Sequence, residues 1–227
     1  MKFVAIIPVK EKSDRVTSKN FRDFYKKDSL LSIKIKQLVR SDIFESIYIS
    51  SDSSLAKKIA DNYGVNFIPR EKSFCNNVTP WSDVIYNVVS SIPEKDNVHL
   101  AWCHTTSPFF YKFTEAVEVY KKIIKNKKYD GLITVSECKE FIINSNLQPV
   151  NYQWGPWHKY SQFLQDYFFI TGAFFLTTKA NMLSNRYVIS TNPYLHTTSK
   201  LEAIDIDDDY DFNLAKLIAA DININND

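Results

Sequence analysis

The stretch FVAIIPVKEKSDRVTSKNF, residues 3–21, begins as an apolar run and then fills with charge. The run Phe3–Pro8 has the length and composition of a buried β-strand. The loop after it places four cations within ten residues, interrupted only by Glu11 and Asp14; these cations are Lys10, Lys12, Arg15 and Lys19. A buried strand that opens into such a loop indicates an α/β domain with an anion site at the strand end.

Short β-branched runs alternate with helical patterns along the rest of the chain. Strands are predicted over residues 3–8, 46–52, 65–68, 98–103, 131–135 and 168–177, and helices over 30–40, 55–63, 81–91 and 113–124. The segment LEAIDIDDDYDFNLAKLIAAD, residues 201–221, predicts a strand that continues into a helix. This order predicts one α/β domain over residues 1–227, with a mostly parallel sheet and helices on both faces.

The alternation is interrupted by an aromatic-rich excursion over about residues 139–168. It contains Trp154, Trp157, His158 and several tyrosines without a regular period. The excursion is interpreted as a lid or a dimerisation element, and the alternative is an ordinary long loop packed on the domain.

Composition excludes several classes of protein. The 227 residues are 44% hydrophobic with a formal charge of +2, so no general affinity for nucleic acid or an acidic membrane is expected. No apolar run approaches the ~20 residues of a membrane helix. Cys75, Cys103 and Cys138 lack metal-ligand spacing, which favours reduced core thiols in a cytoplasmic protein.

The first loop contains none of the chain's four glycines, which are Gly64, Gly131, Gly155 and Gly172. The dinucleotide-binding fingerprint and the Walker pattern are therefore both absent. A phosphate site here must use side-chain cations and hydroxyls, for which the candidates are Lys10, Ser13, Arg15 and Lys19. The alternative is a solvated surface loop of mixed charge.

An acidic run near the end of the chain suggests a metal site. In a strand end, Asp205 and Asp207 would lie on the same face, and two such carboxylates are natural ligands for Mg²⁺. Asp208 and Asp209 are assigned to the start of the following helix, where acids complement the helix dipole; an acidic cap is also the alternative for the first pair. A basic loop and a metal pair together suggest a metal–nucleoside triphosphate held across the sheet.

Six segments are similar, in the same order along the chain, to the motifs of one enzyme family. IIPVKEKSDRVTSKN resembles IPARxGSKxxPxKN, YISSDSSLAKKIADNYGVNFIPR resembles VSTDxxxIAxxAxxYGAxVxxR, and TPWSDVI resembles TASSxDVI. HTTSP resembles QPTSP, ITGAFFL resembles PNGAIYI, and AIDIDDDYDFNLA resembles xIDIDxxxDxxxA. On these motifs the chain resembles the acylneuraminate cytidylyltransferase (CMP-sialic acid synthetase) family over nearly its whole length.

The resemblance implies a single GT-A-like nucleotidyltransferase domain with a mixed sheet, which forms a homodimer through its excursion. It implies Mg²⁺-assisted transfer of CMP from CTP to an acidic sugar with release of pyrophosphate. It assigns catalysis to Lys19, Arg15 and Asp207, and nucleotide binding to Lys10, Ser13, Arg15, Lys19, Asn20, Arg70 and Ser82. It assigns Mg²⁺ to Asp205 and Asp207, and the acceptor to His104, Thr106, Trp157, His158 and Lys159.

The chain departs from the family pattern at two places. In the first loop, Glu11 and Lys12 replace two glycines, and Asp14 replaces a lysine. Ser161 and Phe169 occupy positions where sialic acid synthetases carry basic residues, so the expected acceptor is not sialic acid itself. The alternatives are a non-catalytic nucleotide-binding homologue and a GT-A-type glycosyltransferase that uses DID as its DxD motif.

Overall fold

The computed structural model describes residues 1–13 and 15–224. The strands are β1 (Phe3–Pro8), β2 (Ser46–Ser51), β3 (Asn66–Pro69), β4 (His99–Cys103), β5 (Gly131–Cys138), β6 (Tyr167–Thr178) and β7 (Pro193–Thr197). The α-helices are α1 (Leu30–Ser41), α2 (Ser54–Tyr63), α3 (Trp81–Ser90), α4 (Phe113–Lys125), α5 (Lys179–Asn185) and α6 (Asp209–Asp221). None of these helices has the length and apolar character needed to cross a bilayer.

The strands form one mixed sheet in the order β3-β2-β1-β4-β6-β5-β7. Within this sheet β6 alone runs antiparallel to its neighbours. The chain first moves outward from β1 to β3 and then returns to β4 on the other side of β1. The carboxyl ends of β1 and β4 therefore border a topological switch point, where open α/β sheets form their binding crevices.

Alternating side chains of β1 enter two cores on opposite faces of the sheet. Phe3, Ala5 and Ile7 pack with α1, α2 and α4, whereas Val4 and Ile6 pack with α3 and α5. This arrangement confirms the predicted mostly parallel sheet with helices on both faces. A third core joins α6 to the segment after β1, and Val16, Phe24, Ile206 and Phe212 belong to it.

Helix ends follow the local sequence. Ser29 caps α1 by accepting a hydrogen bond from the main-chain N–H of Ser32, and Gly64 ends α2 with a φ of 67°. Asp208 is the N-cap of α6, where it forms a reciprocal capping box with Asp211. The predicted role of Asp208 at the start of this helix is confirmed.

The strand predicted around Asp205 is wrong. Residues 204–207 belong to no strand, because the main-chain groups of Ile206 pair with loops. The Ile206 N–H donates to the Thr106 carbonyl at 2.9 Å, and the Ile206 carbonyl accepts from the Lys19 ammonium at 2.7 Å. The predicted alternation of side-chain burial is present without a strand, because Ile206 is fully buried and the aspartates on either side of it are exposed. Strand β7 and the short helix α5 were not predicted.

The remaining expectations concern the excursion and the cysteines. Residues 139–166 connect β5 to β6 with two short 3-10 turns, as the irregular pattern indicated. The three cysteines are free, with Cys103 and Cys138 buried as predicted. Cys75 is not a core residue, because it is only partly buried and its sulfur accepts a hydrogen bond from the Arg70 guanidinium at 3.0 Å.

Candidate active site

A cavity of about 730 Å³ opens at the carboxyl ends of β1, β3 and β4. The loop after β1 contributes Lys10, Lys12, Ser13, Arg15, Lys19 and Asn20 to its wall. Arg70 follows β3, residues 104–106 follow β4, and a segment including residues 76–81 closes the remaining side. This volume lies within the range of small-molecule sites.

The charge of this wall is one-sided. Among the described residues it contains five cations, Lys10, Lys12, Arg15, Lys19 and Arg70, and no acid. Cations gathered in a partly enclosed cleft focus a positive potential into it. The wall therefore suits a ligand with several negative charges.

The cations differ in how firmly they are held. Arg70 is buried, and its guanidinium donates to the Val9 carbonyl at 2.6 Å as well as to Cys75. Lys10 is solvent-accessible, and its ammonium donates to the Asn77 side chain at 2.7 Å. Arg70 is thus a fixed charge at the base of the wall, whereas Lys10 can turn toward a ligand.

The loop after β1 is anchored at its far end despite its lack of glycine. Val16 is buried in the third core, and Ser18 adopts a left-handed φ of 51° that closes the turn. Asn20 is buried and accepts a hydrogen bond from the Thr105 hydroxyl at 2.7 Å. The loop is therefore tied directly to the segment that follows β4.

The paired acids lie beside the basic loop. Arg15 forms an ion pair with Asp207 at 2.7 Å, and the Lys19 ammonium donates to the Ile206 carbonyl at 2.7 Å. Burial lowers the pKa of Lys19, and the nearby Asp205 and Asp207 carboxylates oppose that shift. The structure thus brings together the two ends of the chain that the sequence assigned to one nucleotide.

The residues at this point fit a magnesium ion that is shared with phosphate. Asp205 and Asp207 are both exposed on either side of Ile206, and no third carboxylate or histidine joins them in a metal-type cluster of the described residues. Mg²⁺ is commonly bound by one or two carboxylates and completes its shell with substrate phosphates and water. The donor set matches that pattern and does not match a closed all-protein site.

His104 lines the cavity, but its ring nitrogens are engaged within the protein. The Trp102 indole N–H donates to Nε2 at 2.8 Å, and the ring also hydrogen-bonds the main chain of Gly172. Burial lowers the pKa of His104, although Asp205 opposes the shift. A Cβ on Gly172, whose φ is 72°, would touch Nδ1 at 3.4 Å, so the ring is closely confined. His104 therefore contributes a neutral surface to the cavity and not a charge for an anion.

Other predicted residues lie apart from the cavity. Ser82 is partly buried in the first turn of α3, whereas its neighbour Trp81 lines the wall. Trp157, His158 and Lys159 are on the excursion and line no part of the cavity in the described chain. The His158 ring packs on Phe141 with centroids 4.9 Å apart.

Sequence reasoning missed part of the wall. Lys12 was counted among the cations of the loop but was not assigned to the nucleotide, and Thr105 was passed over between two assigned neighbours. The turn around Asn76 was also missed, although its side chain organises the turn by accepting from the N–H groups of Val78 and Thr79 at 2.8 Å. The Asn-rich sequence CNNVT was the available signal for a structured turn.

A crevice at the β1/β4 switch point, a cationic wall and two adjoining carboxylates define a nucleotide-binding protein of the nucleotidyltransferase class. The cytidylyltransferase family model matches residues 4–202, and the chain belongs to that family.

Curated relatives extend the match over nearly the whole chain. A pseudaminic acid cytidylyltransferase of Campylobacter jejuni serotype O:2 is 26% identical over 226 residues, which cover 96% of each chain. The N-acylneuraminate cytidylyltransferase of Escherichia coli O18:K1:H7 is 25% identical over 94% of this chain and 51% of its own length.

Solved structures share the fold. A CMP:2-keto-3-deoxy-manno-octonic acid synthetase complexed with CTP has a TM-score of 0.69 at 10% identity, covering 98% of this chain and all of that one. A 2-C-methyl-D-erythritol 4-phosphate cytidylyltransferase from Francisella tularensis has a TM-score of 0.65 at 13% identity, covering 96% and 99% of the two chains.

Proposed function

We propose that this cytidylyltransferase transfers CMP from CTP to a hydroxyl or phosphate oxygen of a small acidic sugar and releases pyrophosphate. The observation that carries the proposal is the cationic wall without an acid, which the Arg15–Asp207 ion pair joins to the segment that carries both aspartates. The wall matches the charge of a triphosphate, and the carboxylates match the metal that accompanies it.

In the proposed reaction, an acceptor oxygen forms a bond to the α-phosphorus while the bond from that phosphorus to the bridging oxygen breaks. The hydroxyl proton passes to solvent, and pyrophosphate leaves. Lys19 and Arg15 would bind the phosphate oxygens and neutralise the charge that builds on the transferring group and the leaving group. Lys19 is already fixed by its bond to the Ile206 carbonyl, so little reorganisation is needed at the transition state.

We assign Asp205 and Asp207 as the residues that would hold Mg²⁺. When bound, the ion supplies Lewis-acid stabilisation to the phosphoryl oxygens. The Arg15–Asp207 pair would then have to open, which frees the Arg15 guanidinium for the phosphates. Because both side chains are largely exposed, at 65% and 55%, opening costs at most about 1 kcal/mol.

The proposed acceptor is an acidic sugar other than sialic acid, in line with the pseudaminic acid cytidylyltransferases to which the chain is similar. Phe169 is 56% exposed near the start of β6, where sialic acid synthetases are expected to carry a basic residue, so the carboxylate of the proposed acceptor would have to be bound at a different position. A carboxylate placed there would lack a charge-assisted hydrogen bond of roughly 1.5–3 kcal/mol.

The test is a pyrophosphate-release assay with CTP, Mg²⁺ and separate acceptors, including pseudaminic acid and N-acetylneuraminic acid, with the CMP product identified by mass spectrometry. We expect turnover with pseudaminic acid and little with N-acetylneuraminic acid. Preference for N-acetylneuraminic acid would refute the acceptor assignment alone. No product with any acidic sugar would refute the proposed reaction.

We further propose that two copies pair through the excursion. Trp157, Tyr160 and Phe163 are 70%, 73% and 63% exposed, which is a large apolar surface for a lone chain. Light scattering after size exclusion should give the mass of a dimer. Phe163→Glu should shift it toward monomer, whereas Leu217→Glu, an equally exposed apolar site on α6, should not; a monomeric wild type at micromolar concentration would contradict the proposal.

A further inference from the structure

A completely buried lysine lies behind the candidate active site and was not assigned any role. Lys34 projects from α1 with no exposed surface, and its ammonium donates to the carbonyls of Ser107 and Phe110 at 2.9 and 3.0 Å. Gln37, one turn further along the same helix, donates to the Pro108 carbonyl at 2.6 Å. One face of α1 thus binds three carbonyls of the loop that connects β4 to α4.

This loop, residues 104–112, has no regular secondary structure of its own. Its cavity side makes two bonds that matter for the site: the Thr105 hydroxyl donates to Asn20, and the Thr106 carbonyl accepts from the Ile206 N–H. The Ile206 carbonyl in turn accepts from Lys19. The basic loop and the acidic segment therefore meet on the part of this loop that α1 holds from behind.

A buried ammonium is costly to maintain, so its retention calls for a reason beyond packing. Carbonyl groups in an irregular loop would otherwise be left unpaired in the interior, and the lysine satisfies two of them from a single rigid helix. The Phe113 ring, 5.2 Å from the Lys34 ammonium, adds a further favourable contact.

We propose that Lys34 is a positioning residue for cytidylyl transfer: by fixing residues 107–110 it holds Thr105 and Thr106 so that Asn20, Lys19 and the paired aspartates converge on one nucleotide. This inference rests on the proposed function for its catalytic consequence. Lys34 itself touches no substrate and acts through the loop.

The chain offers a matched control for the experiment. Lys179 is also buried, and its ammonium donates to the carbonyls of Ile92 and Glu94 at 3.0 and 2.8 Å, at the opposite end of the sheet from the cavity. Lys34→Met and Lys179→Met therefore both remove a buried ammonium that binds two carbonyls, one behind the site and one far from it. Lys179→Met also removes an ion pair with the exposed Asp96 at 3.8 Å.

The test measures melting temperature, the dissociation constant for CTP, kcat, and hydrogen exchange by mass spectrometry in both variants. Both should melt at lower temperature, but only Lys34→Met should weaken CTP binding and lower kcat, each by about tenfold or more because the bound phosphates are misplaced. Only Lys34→Met should speed exchange in residues 104–112 and 203–208. Equal kinetic constants in the two folded variants, or unchanged exchange in these segments, would overturn the proposal.

If Lys34→Met does not fold, Gln37→Met provides the answer, because it removes only the bond to the Pro108 carbonyl. It should produce the same changes at smaller amplitude, and a folded Gln37→Met with unaltered exchange and CTP affinity would also count against the proposal. A wild type that does not turn over CTP would refute the proposed function instead, and the exchange measurements would still decide whether Lys34 orders the loop.

Discussion

The buried Lys34 should make the free energy of unfolding rise with pH in mildly alkaline solution. Burial lowers its pKa from 10.5 to about 8 in the folded protein. Between these two values the unfolded chain binds the proton and the folded chain does not, so raising the pH favours the folded state. The difference between the two pKa values corresponds to about 3 kcal/mol of unfolding free energy. The protein gains this full amount only above the pKa of Lys34 in the unfolded chain.

The useful window is narrower, because Cys103 acts in the opposite direction. Burial raises the pKa of this thiol from 9.0 to about 12, which destabilises the folded state once the unfolded thiol ionises. Between about pH 7.5 and about pH 9 the Lys34 contribution should change by about 1 kcal/mol, before the Cys103 effect is large.

The assay is urea unfolding of the wild type, Lys34→Met and Gln37→Met at several pH values in this window. Subtracting the Lys34→Met free energy from the wild-type value removes the part of the Cys103 contribution that comes from burial, which both proteins share. The smaller effect of the Lys34 charge on the pKa of Cys103 remains in the difference. As pH rises across this window, the free energy of unfolding of the wild type should increase by about 1 kcal/mol relative to that of Lys34→Met. Its difference from Gln37→Met should not change with pH. If the difference in free energy of unfolding between wild type and Lys34→Met does not change with pH, Lys34 keeps an ordinary affinity for its proton and is hydrated. That result would refute the buried geometry.

Three further predictions concern the site and the sheet. Asp207→Ala should lower CMP transfer, measured by pyrophosphate release, at least about 100-fold, and retained transfer at saturating Mg²⁺ would contradict the metal assignment. Because the Arg15–Asp207 pair is exposed, the free energy of unfolding measured in urea should change by less than about 1 kcal/mol. Nitrogen NMR of His104 should show a neutral ring protonated at Nδ1 at pH 6.5, because burial lowers its pKa, and a half-protonated ring there would oppose this reasoning. Gly131→Ala should destabilise the protein by about 1–3 kcal/mol, because its Cβ would collide with the Ser190 side chain and approach the Leu176 carbonyl to 3.2 Å. Thermal melting should show this loss, and adding Ser190→Gly to Gly131→Ala should restore part of the stability.

The fold was largely predictable because its signals are local. The apolar run of β1 and the helical spacing of α1 each depend on a few neighbouring residues, and Gly64 ends α2 where the sequence places it. Strand β7 was not predictable in this way. It is an edge strand with mixed burial, and its pairing with β5 is a tertiary interaction that no local pattern announces.

The site was predictable in its charges but less so in its contacts. Residue types predicted that Lys19 and Asp207 belong to one site, and motif order predicted His104 beside them. In the structure Lys19 and His104 line the cavity, whereas Asp207 lies beside it and contacts its wall through Arg15. The sequence could not reveal that the nitrogens of His104 are engaged by Trp102 and Gly172, because that depends on rotamers and on a neighbouring strand. Alternation correctly predicted that Asp205 and Asp207 are exposed together. The cause is the burial of Ile206 in the third core and not a strand.

The absence of glycine from the first loop explains why the site needs support from outside that loop. A glycine-rich phosphate loop brings its own main-chain N–H groups to the ligand, so much of its geometry is set locally. Here the charge sits on long side chains, and Lys19 is fixed through Ile206 and Thr106 by bonds of 2.7 and 2.9 Å. Those bonds hold only as well as the loop after β4 is held, and that loop is bound from behind by α1. Precision in this site is therefore a property of tertiary contacts, and substitutions at Lys34 or Gln37 should affect CTP binding although neither residue touches the cavity.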